Sequence, residues 1–142
     1  MIKEITISEL ILVRSPVLRI GKPIESCHFD GDDLDSTVHF GFFEVANLIG
    51  IISIFKKDHI YFKQTQFQIR GMAVLVPHQK KGIGGKLVRF AEQYILGQQG
   101  NLIWLNARFS AIGFYEKLNY QIIGSSFQIS DIGAHYVMFK NI

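Results

Sequence analysis

Apolar residues along this chain change period several times, and each change marks an element. Ile2, Ile5 and Ile7 predict a short first strand over residues 2–7. Thr6-Ile7-Ser8-Glu9 matches a capping box, so a helix starts near Ile7. Leu10, Ile11 and Val13 continue it. Pro16 lacks an N–H and disfavours helix at Ser15, which predicts a break or kink there, with room for one more turn through Leu18. Gly21-Lys22-Pro23 reads as a turn. Residues 37–44 and 47–56 read as two strands joined at Val45-Ala46 and paired as a hairpin. Lys57-Asp58-His59 opens a longer polar connection.

The next strand carries an irregularity. Thr65, Phe67 and Ile69 alternate with Gln66, Gln68 and Arg70, one face apolar and one polar. After Gly71 the phase flips, and Met72 and Val74 carry the larger side chains. A period of two slips by one when a residue is inserted, which predicts a β-bulge near Arg70–Met72. Pro77 closes the run. Gly82, Gly84 and Gly85 follow, and then Ile83, Leu87, Phe90, Ala91, Tyr94 and Ile95 recur at helical spacing up to Gly97–Gly100. Leu102 to Leu105 reads as a buried strand ending at Asn106. Ala111, Phe114, Tyr115 and Leu118 form a second helical stripe. Gln121–Gly124 and His135–Lys140 read as the last two strands. The order is α/β around one mixed sheet, antiparallel in its first part. No repeat or linker interrupts residues 1–142, so one domain is expected.

Composition narrows the classes. Hydrophobic residues make up 48% of 142, enough for a packed core. The formal charge of +3 admits an anionic ligand, but no basic run exceeds two residues and no aromatic–basic stripe points to nucleic acid. The single cysteine, Cys27, excludes an internal disulfide and a cysteine-built zinc site, and reads as a small buried hydrophobe. Lys3 and Glu4 interrupt any signal-like opening, and no apolar run approaches the ~18–20 residues of a membrane span. A cytoplasmic enzyme or binding module, with no membrane partner, is expected. The acidic stretch 30–35 fails as a calcium loop at Leu34, Asp35 and Gly41. It reads as a solvated loop, with attraction of a cationic amine as a lesser role. His28, His59 and His78 lie in loops without a metal-ligand pattern, so no metal is expected.

The chemistry concentrates on the strand, basic glycine-containing turn and helix over residues 70–87. A helix start presents free N–H groups and a positive dipole end, which suits phosphate, and glycines let the backbone approach it. Lys80, Lys81 and Lys86 add positive charge. A nucleotide-triphosphate loop is excluded, because Lys80 stands at its first glycine and Leu87 at its hydroxyl residue. Leu87 also stands where a dinucleotide turn needs its third glycine.

Gln79-Lys80-Lys81-Gly82-Ile83-Gly84 resembles the Gln/Arg-x-x-Gly-x-Gly/Ala signature of the GNAT superfamily of N-acetyltransferases, with Ala73-Val74 on the strand before it. Phe114-Tyr115-Glu116-Lys117-Leu118-Asn119-Tyr120 is similar to that family's Phe-Tyr-x-Lys-x-Gly-Phe segment. Asn119 takes the glycine place, and asparagine is the non-glycine residue most tolerant of a left-handed helix end. The resemblance covers nearly the whole chain. It implies a mixed, mostly antiparallel central sheet with helices on both faces and a bulged, splayed central strand. It implies that Gln79, Lys80, Lys81, Gly82, Ile83, Gly84 and Gly85 hold the pyrophosphate of acetyl-coenzyme A, with its acetylated arm beside Met72, Ala73 and Val74. It assigns Tyr115 to the departing sulfur. Asn106, at a strand end facing the split, is a candidate for the pantetheine amides.

The expected reaction is acetyl transfer from acetyl-coenzyme A to a primary amine of a small molecule or protein. A homodimer is one possible assembly. Backbone N–H groups near Met72–Val74 are placed to stabilise the carbonyl oxygen. The central strand carries Gln64, Gln66, Gln68 and Arg70 where a carboxylate base would stand. His39, Glu44, His135 and a water chain therefore remain as alternatives for the base. Arg70 is a candidate to orient a substrate carboxylate or to form a surface ion pair. The missing carboxylate also leaves open a non-catalytic acyl-coenzyme A-binding regulatory module. The loops 22–36 and 57–64 are expected to face the acceptor.

Overall fold

The computed structural model describes residues 1–130 and 132–142. Its elements are β1 (Ile2–Glu4), α1 (Ile7–Leu18), β2 (Val38–Glu44), β3 (Asn47–Phe55), β4 (Gln66–Val74), α2 (Ile83–Gly97), β5 (Leu102–Arg108), α3 (Ile112–Glu116), β6 (Gln121–Ile129) and β7 (Gly133–Asn141). The strands form one sheet in the order β1-β2-β3-β4-β5-β7-β6. Every neighbouring pair is antiparallel except β4 and β5. The order of periods predicts one mixed α/β sheet, antiparallel in its first part, and the mostly antiparallel pairing is what the resemblance implies. Among the described residues, no helix is long and apolar enough to cross a membrane.

Local signals set most boundaries. Thr6 Oγ1 accepts from the Glu9 amide at 3.2 Å and Glu9 Oε1 from the Thr6 amide at 2.9 Å, a complete capping box. Such a cap is worth about 1 kcal/mol. Pro16 does not interrupt α1, contrary to expectation. The helix runs on to Leu18 and closes with Arg19 N–H donating to Arg14 O at 3.0 Å. The carbonyl that Pro16 leaves unbonded is that of Leu12, whose residue is exposed, so water can satisfy it. Strand β6 reaches Ile129, beyond the expected Gly124. Gly124 interrupts the pairing, which shifts register between Ile123 and Phe127, and the alternation resumes.

The two faces carry different helices. Leu87, Val88, Ala91 and Ile95 of α2 are fully buried with Phe67, Ile69, Ile103 and Leu105 of the sheet. Burial of each such side chain stabilises by roughly 1.5–3 kcal/mol. On the other face, Leu10 and Val13 of α1 pack on Ile5, Ile51 and Ala73.

Strand β4 carries the bulge. Ile51 pairs with Ala73 and Ser53 with Arg70, so Gly71 and Met72 together oppose Ile52. Gly71 has φ +62°, the left-handed conformation that glycine adopts without a Cβ penalty. The extra residue explains the phase flip. Phe67 and Ile69 before it, and Met72 and Val74 after it, all belong to the α2 face. Arg70 and Ala73 are left on the α1 face.

Strand β4 also parts from β5. The parallel ladder holds at Gln66↔Leu102, Phe67↔Ile103 and Gln68↔Trp104 and then stops. Strand β5 continues along β7 to Arg108↔His135. The sheet therefore opens into a wedge between residues 69–74 and 105–108.

Candidate active site

The wedge is the floor of a cavity of about 790 Å³ that passes from one face of the sheet to the other. Its α2 half is lined by Ile69, Met72, Val74, residues 79, 80 and 82–85 of the turn, Leu105, Phe114 and Tyr115, whereas Lys81 is exposed and outside the lining. Its α1 half is lined by Arg19, Phe29, Arg70, Asn106, Arg108, Ile129 and His135.

The turn leaves a set of backbone donors free. The first hydrogen bond of α2 runs from Lys86 N–H to Gly82 O at 3.1 Å. The amides of Ile83, Gly84 and Gly85 precede it and have no acceptor within the helix. Gly82 sits at φ +82° with open space where a Cβ would stand, and Lys80 at φ +63°. A Cβ on Gly84 would lie 3.1 Å from Phe114 Cζ and 3.4 Å from Met72 Cε. Gly84 thus lets α2 and Phe114 of α3 approach closely, and a larger side chain there would have to displace Phe114. Gln79 Nε2 donates to Val74 O at 2.9 Å and ties the turn to the end of β4.

Strand β4 supplies a further donor. Leu75 N–H donates to Ile49 O at 2.9 Å, and Gly50 and Ile51 pair with Val74 and Ala73. Along an antiparallel strand, backbone groups alternate between the two sides. The Val74 N–H therefore points away from β3, into the wedge. Met72 and Ala73 also line the cavity.

Tyr115 stands at the waist. Its ring packs edge-on against Phe114 and Tyr120, and the residue is 8% exposed. Burial pushes its hydroxyl far above the ordinary phenol value, so it remains an O–H donor at any workable pH. The helix end behind it holds as the motif requires. Asn119 has φ +72°, Tyr120 N–H donates to Tyr115 O at 3.1 Å and Asn119 N–H to Glu116 O at 3.0 Å.

Of the three proton-acceptor alternatives on side chains, one lines the cavity. Glu44 is exposed at the β2–β3 turn. His39 is buried, with Nδ1 2.7 Å from Ser53 Oγ and Nε2 3.0 Å from Asp32 O. Both ring nitrogens are engaged away from the wedge, and desolvation pulls its pKa down. Neither is placed to act on a bound amine. His135 faces the α1 half, with Nδ1 2.9 Å from Gly133 O. A carbonyl only accepts, so Nδ1 carries the hydrogen, and in the neutral ring the lone pair is on Nε2. Among the described residues Nε2 has no partner.

Other expectations change with the fold. Asn106 lies on the strand face of Leu102 and Trp104, opposite Leu105 and Ala107, and so meets the α1 half of the cavity. The acidic stretch offers no carboxylate to the lining. Asp32 is buried in a bidentate pair with Arg14, at 2.6 and 3.0 Å, and also accepts from the Phe29 amide at 2.7 Å. Burial alone would raise its pKa, but the bonds from Arg14 and Phe29 and the charge of Arg14 hold it below the ordinary range. The segment's contribution to the cavity is Phe29. The 57–64 connection does not reach the cavity. It covers Trp104, whose indole N–H donates to Lys57 O at 2.9 Å. Sequence reasoning missed Arg19 and Ile129, and gave Arg108, in the matching stretch Asn106-Ala107-Arg108, no role. For Ile129 the signal was the alternation Phe127, Gln128, Ile129.

Comparison with known proteins agrees with this geometry. The sequence profile of the Acetyltransferase (GNAT) family matches residues 14–120. YitI of Bacillus subtilis (strain 168), an uncharacterized N-acetyltransferase, is 30% identical over 142 residues, covering 99% of this chain and 95% of its own. The fold is similar to that of an aminoglycoside 6'-N-acetyltransferase crystallised with coenzyme A. That likeness has a TM-score of 0.77 at 18% identity, over 99% of this chain and 96% of that one. The ribosomal-protein-S18-alanine N-acetyltransferase of Escherichia coli superposes with a TM-score of 0.77 at 14% identity, over 100% and 93% of the two chains. The chain belongs to the GNAT acetyltransferase family.

Proposed function

We propose that the protein transfers the acetyl group of acetyl-coenzyme A to a primary amine, within the wedge between β4 and β5. The observation that carries this reading is the wedge itself. The ladder ends at Gln68↔Trp104, and the cavity it opens joins a donor-rich turn, a buried phenol and, on His135, an imidazole nitrogen without a partner among the described residues. The amides of residues 83–85, with Lys80 and Lys81, suit the pyrophosphate. The acetylated arm then lies along Met72–Val74, where a paired strand would otherwise run.

Transfer requires a neutral amine to attack the thioester carbon while its carbonyl oxygen gains charge. The Val74 N–H is a fixed donor for that oxygen. His135 Nε2 is the acceptor for the proton the amine loses, directly or through one water. The C–S bond then breaks, and the Tyr115 O–H donates a hydrogen bond to the departing sulfur. The missing carboxylate on β4 is thus made good by an imidazole from β7. Asn106 meets the acceptor half, which supports substrate contact there over a role at the pantetheine amides.

The test is thiol release from acetyl-coenzyme A with a panel of primary amines, paired with calorimetric binding of acetyl-coenzyme A. Turnover should appear with some amine. In His135→Gln, kcat should fall by ~10²-fold while acetyl-coenzyme A affinity holds. Binding without turnover for any amine would instead leave an acyl-coenzyme A-binding module.

A further inference from the structure

The α1 half of the cavity is cationic in a way the transfer chemistry does not use. Phe29 projects into it, and three guanidinium groups gather on its ring. The carbons of Arg14, Arg70 and Arg19 lie 3.8, 4.8 and 4.9 Å from the centroid. Arg14 is spoken for: fully buried, it is paired with Asp32 and donates to Cys27 O and Ser53 Oγ. Arg70 differs. It is held on the faces of Phe29 and Phe55, at 4.8 and 5.3 Å. Among the described residues, no carboxylate lies within 4.0 Å of Arg70, Arg19 or Arg108. Among the described residues Arg19 donates only to the carbonyls of Ser26 and Leu18. Arg108 stands opposite His135 in the β5–β7 pairing, across the wedge from Arg70.

The cavity lining contains no carboxylate among the described residues. Burial pulls Arg70 below its ordinary value, and the charge of Arg14 adds to this. Asp32 and Asp30 act in the opposite sense, yet Asp32 is already committed to Arg14. Asp30 makes no ion pair with it, so among the described residues this partly desolvated cation has no paired anion. The guanidinium fork matches a carboxylate with two parallel hydrogen bonds. An acceptor with several positive charges would meet like charge at Arg19, Arg70 and Arg108.

We infer that the acceptor is an amine that also carries a carboxylate, which Arg70 binds with Arg19 and Arg108, while the amine lies toward His135 and the wedge. The apolar walls at Phe29, Ile129 and Val17 favour an apolar body between the two groups, as in a hydrophobic amino acid. This rests on the transfer reading, because that reading makes the α1 half the acceptor half. It also replaces the idea that acidic residues draw in a cationic amine.

Three amines decide it: L-leucine, L-leucinamide and spermidine, compared as kcat/KM by thiol release. Leucine should exceed each of the others by at least tenfold, although the amine of leucinamide is the less protonated of the two. In Arg70→Gln, and in Arg19→Gln should the first variant unfold, the preference for leucine should shrink by at least fivefold through KM. Acetyl-coenzyme A affinity should not move. A second measurement is independent of turnover: calorimetric binding of N-acetyl-leucine and N-acetyl-leucinamide to the protein saturated with coenzyme A. The carboxylate should tighten binding by at least tenfold, and Arg70→Gln should remove most of that. Turnover of all three amines at similar kcat/KM would overturn the inference and leave the transfer reading standing. Selective binding of the carboxylate with no turnover of any amine would overturn the transfer reading and uphold the anion site. Equal binding of the two acetylated probes would sink the anion site whatever the turnover.

Discussion

Replacing Tyr115 by phenylalanine removes one oxygen from the waist of the cavity and leaves the ring. The edge-on contacts with Phe114 and Tyr120, with centroids 4.9 and 5.8 Å away, remain available. Among the described residues the hydroxyl has no hydrogen-bond partner, so its loss strands no donor or acceptor. Stability should therefore change by less than about 0.5 kcal/mol. Catalysis should respond more strongly. The hydroxyl gains a charged partner only as the C–S bond breaks, so its interaction belongs to the transition state. A hydrogen bond to a charged group contributes about 1.5–3 kcal/mol. At 1.36 kcal/mol per factor of ten, that is a fall of about 10- to 150-fold in the chemical rate constant.

Single-turnover acetyl transfer, followed by rapid quench, isolates that step. Acetyl-coenzyme A affinity by calorimetry should stay within about twofold. Because burial holds the hydroxyl protonated, the rate constant should show no descending limb from this group up to about pH 10. Equal single-turnover rates in Tyr115→Phe and the parent would assign the residue to packing. Weakened binding at an unchanged rate would make it a positioning contact. A descending limb near pH 9–10 that vanishes in the variant would refute the account of its burial.

The other predictions concern the turn, the buried ion pair and the helix end. Gly84→Glu and Gly84→Gln both press on Phe114, so their difference isolates charge; the glutamate should bind acetyl-coenzyme A at least tenfold more weakly, ~1.4 kcal/mol, and equal affinities would end the pyrophosphate assignment. Asp32→Asn leaves the Arg14 charge buried without its counterion, and urea denaturation should show a loss of about 3–5 kcal/mol. His39 and His59 have folded pKa values lowered by desolvation, so the unfolded chain binds more protons below its own value of about 6.5. Stability should therefore fall as pH drops through that value, and Asp32, whose pKa is also lowered, adds a further loss below about pH 4. A flat stability profile between pH 7.5 and 5 would contradict this. Asn119→Gly should be neutral or slightly stabilising and Asn119→Val destabilising by about 1–2 kcal/mol, because the position is left-handed.

The order of elements, the helix start at Thr6, the bulge at Gly71 and the left-handed Asn119 are all legible in the linear sequence. Each is a local matter: a capping residue, a slip in a period of two, or a backbone conformation that few residues accept. The glycine turn and Tyr115 are legible for the same reason, since the motif and the geometry occupy one short stretch. What the linear order does not contain is the path of one strand relative to another. The partition of β4 from β5 depends on where a ladder between residues 66–68 and 102–104 ends. The base was open among His39, Glu44, His135 and a water chain because the choice turns on which side chain lines the cavity. Of the three side chains only His135 does, from β7, which lies beside β5 on the side away from β4. Of Arg14, Arg19, Arg70 and Arg108, the sequence singles out Arg70 beside the bulge, and leaves open whether it meets a substrate or an ion-pair partner. Tertiary packing alone gives Arg14 a carboxylate and leaves the other three facing a cavity, since a buried charge must find its partner from elsewhere in the chain or from a ligand.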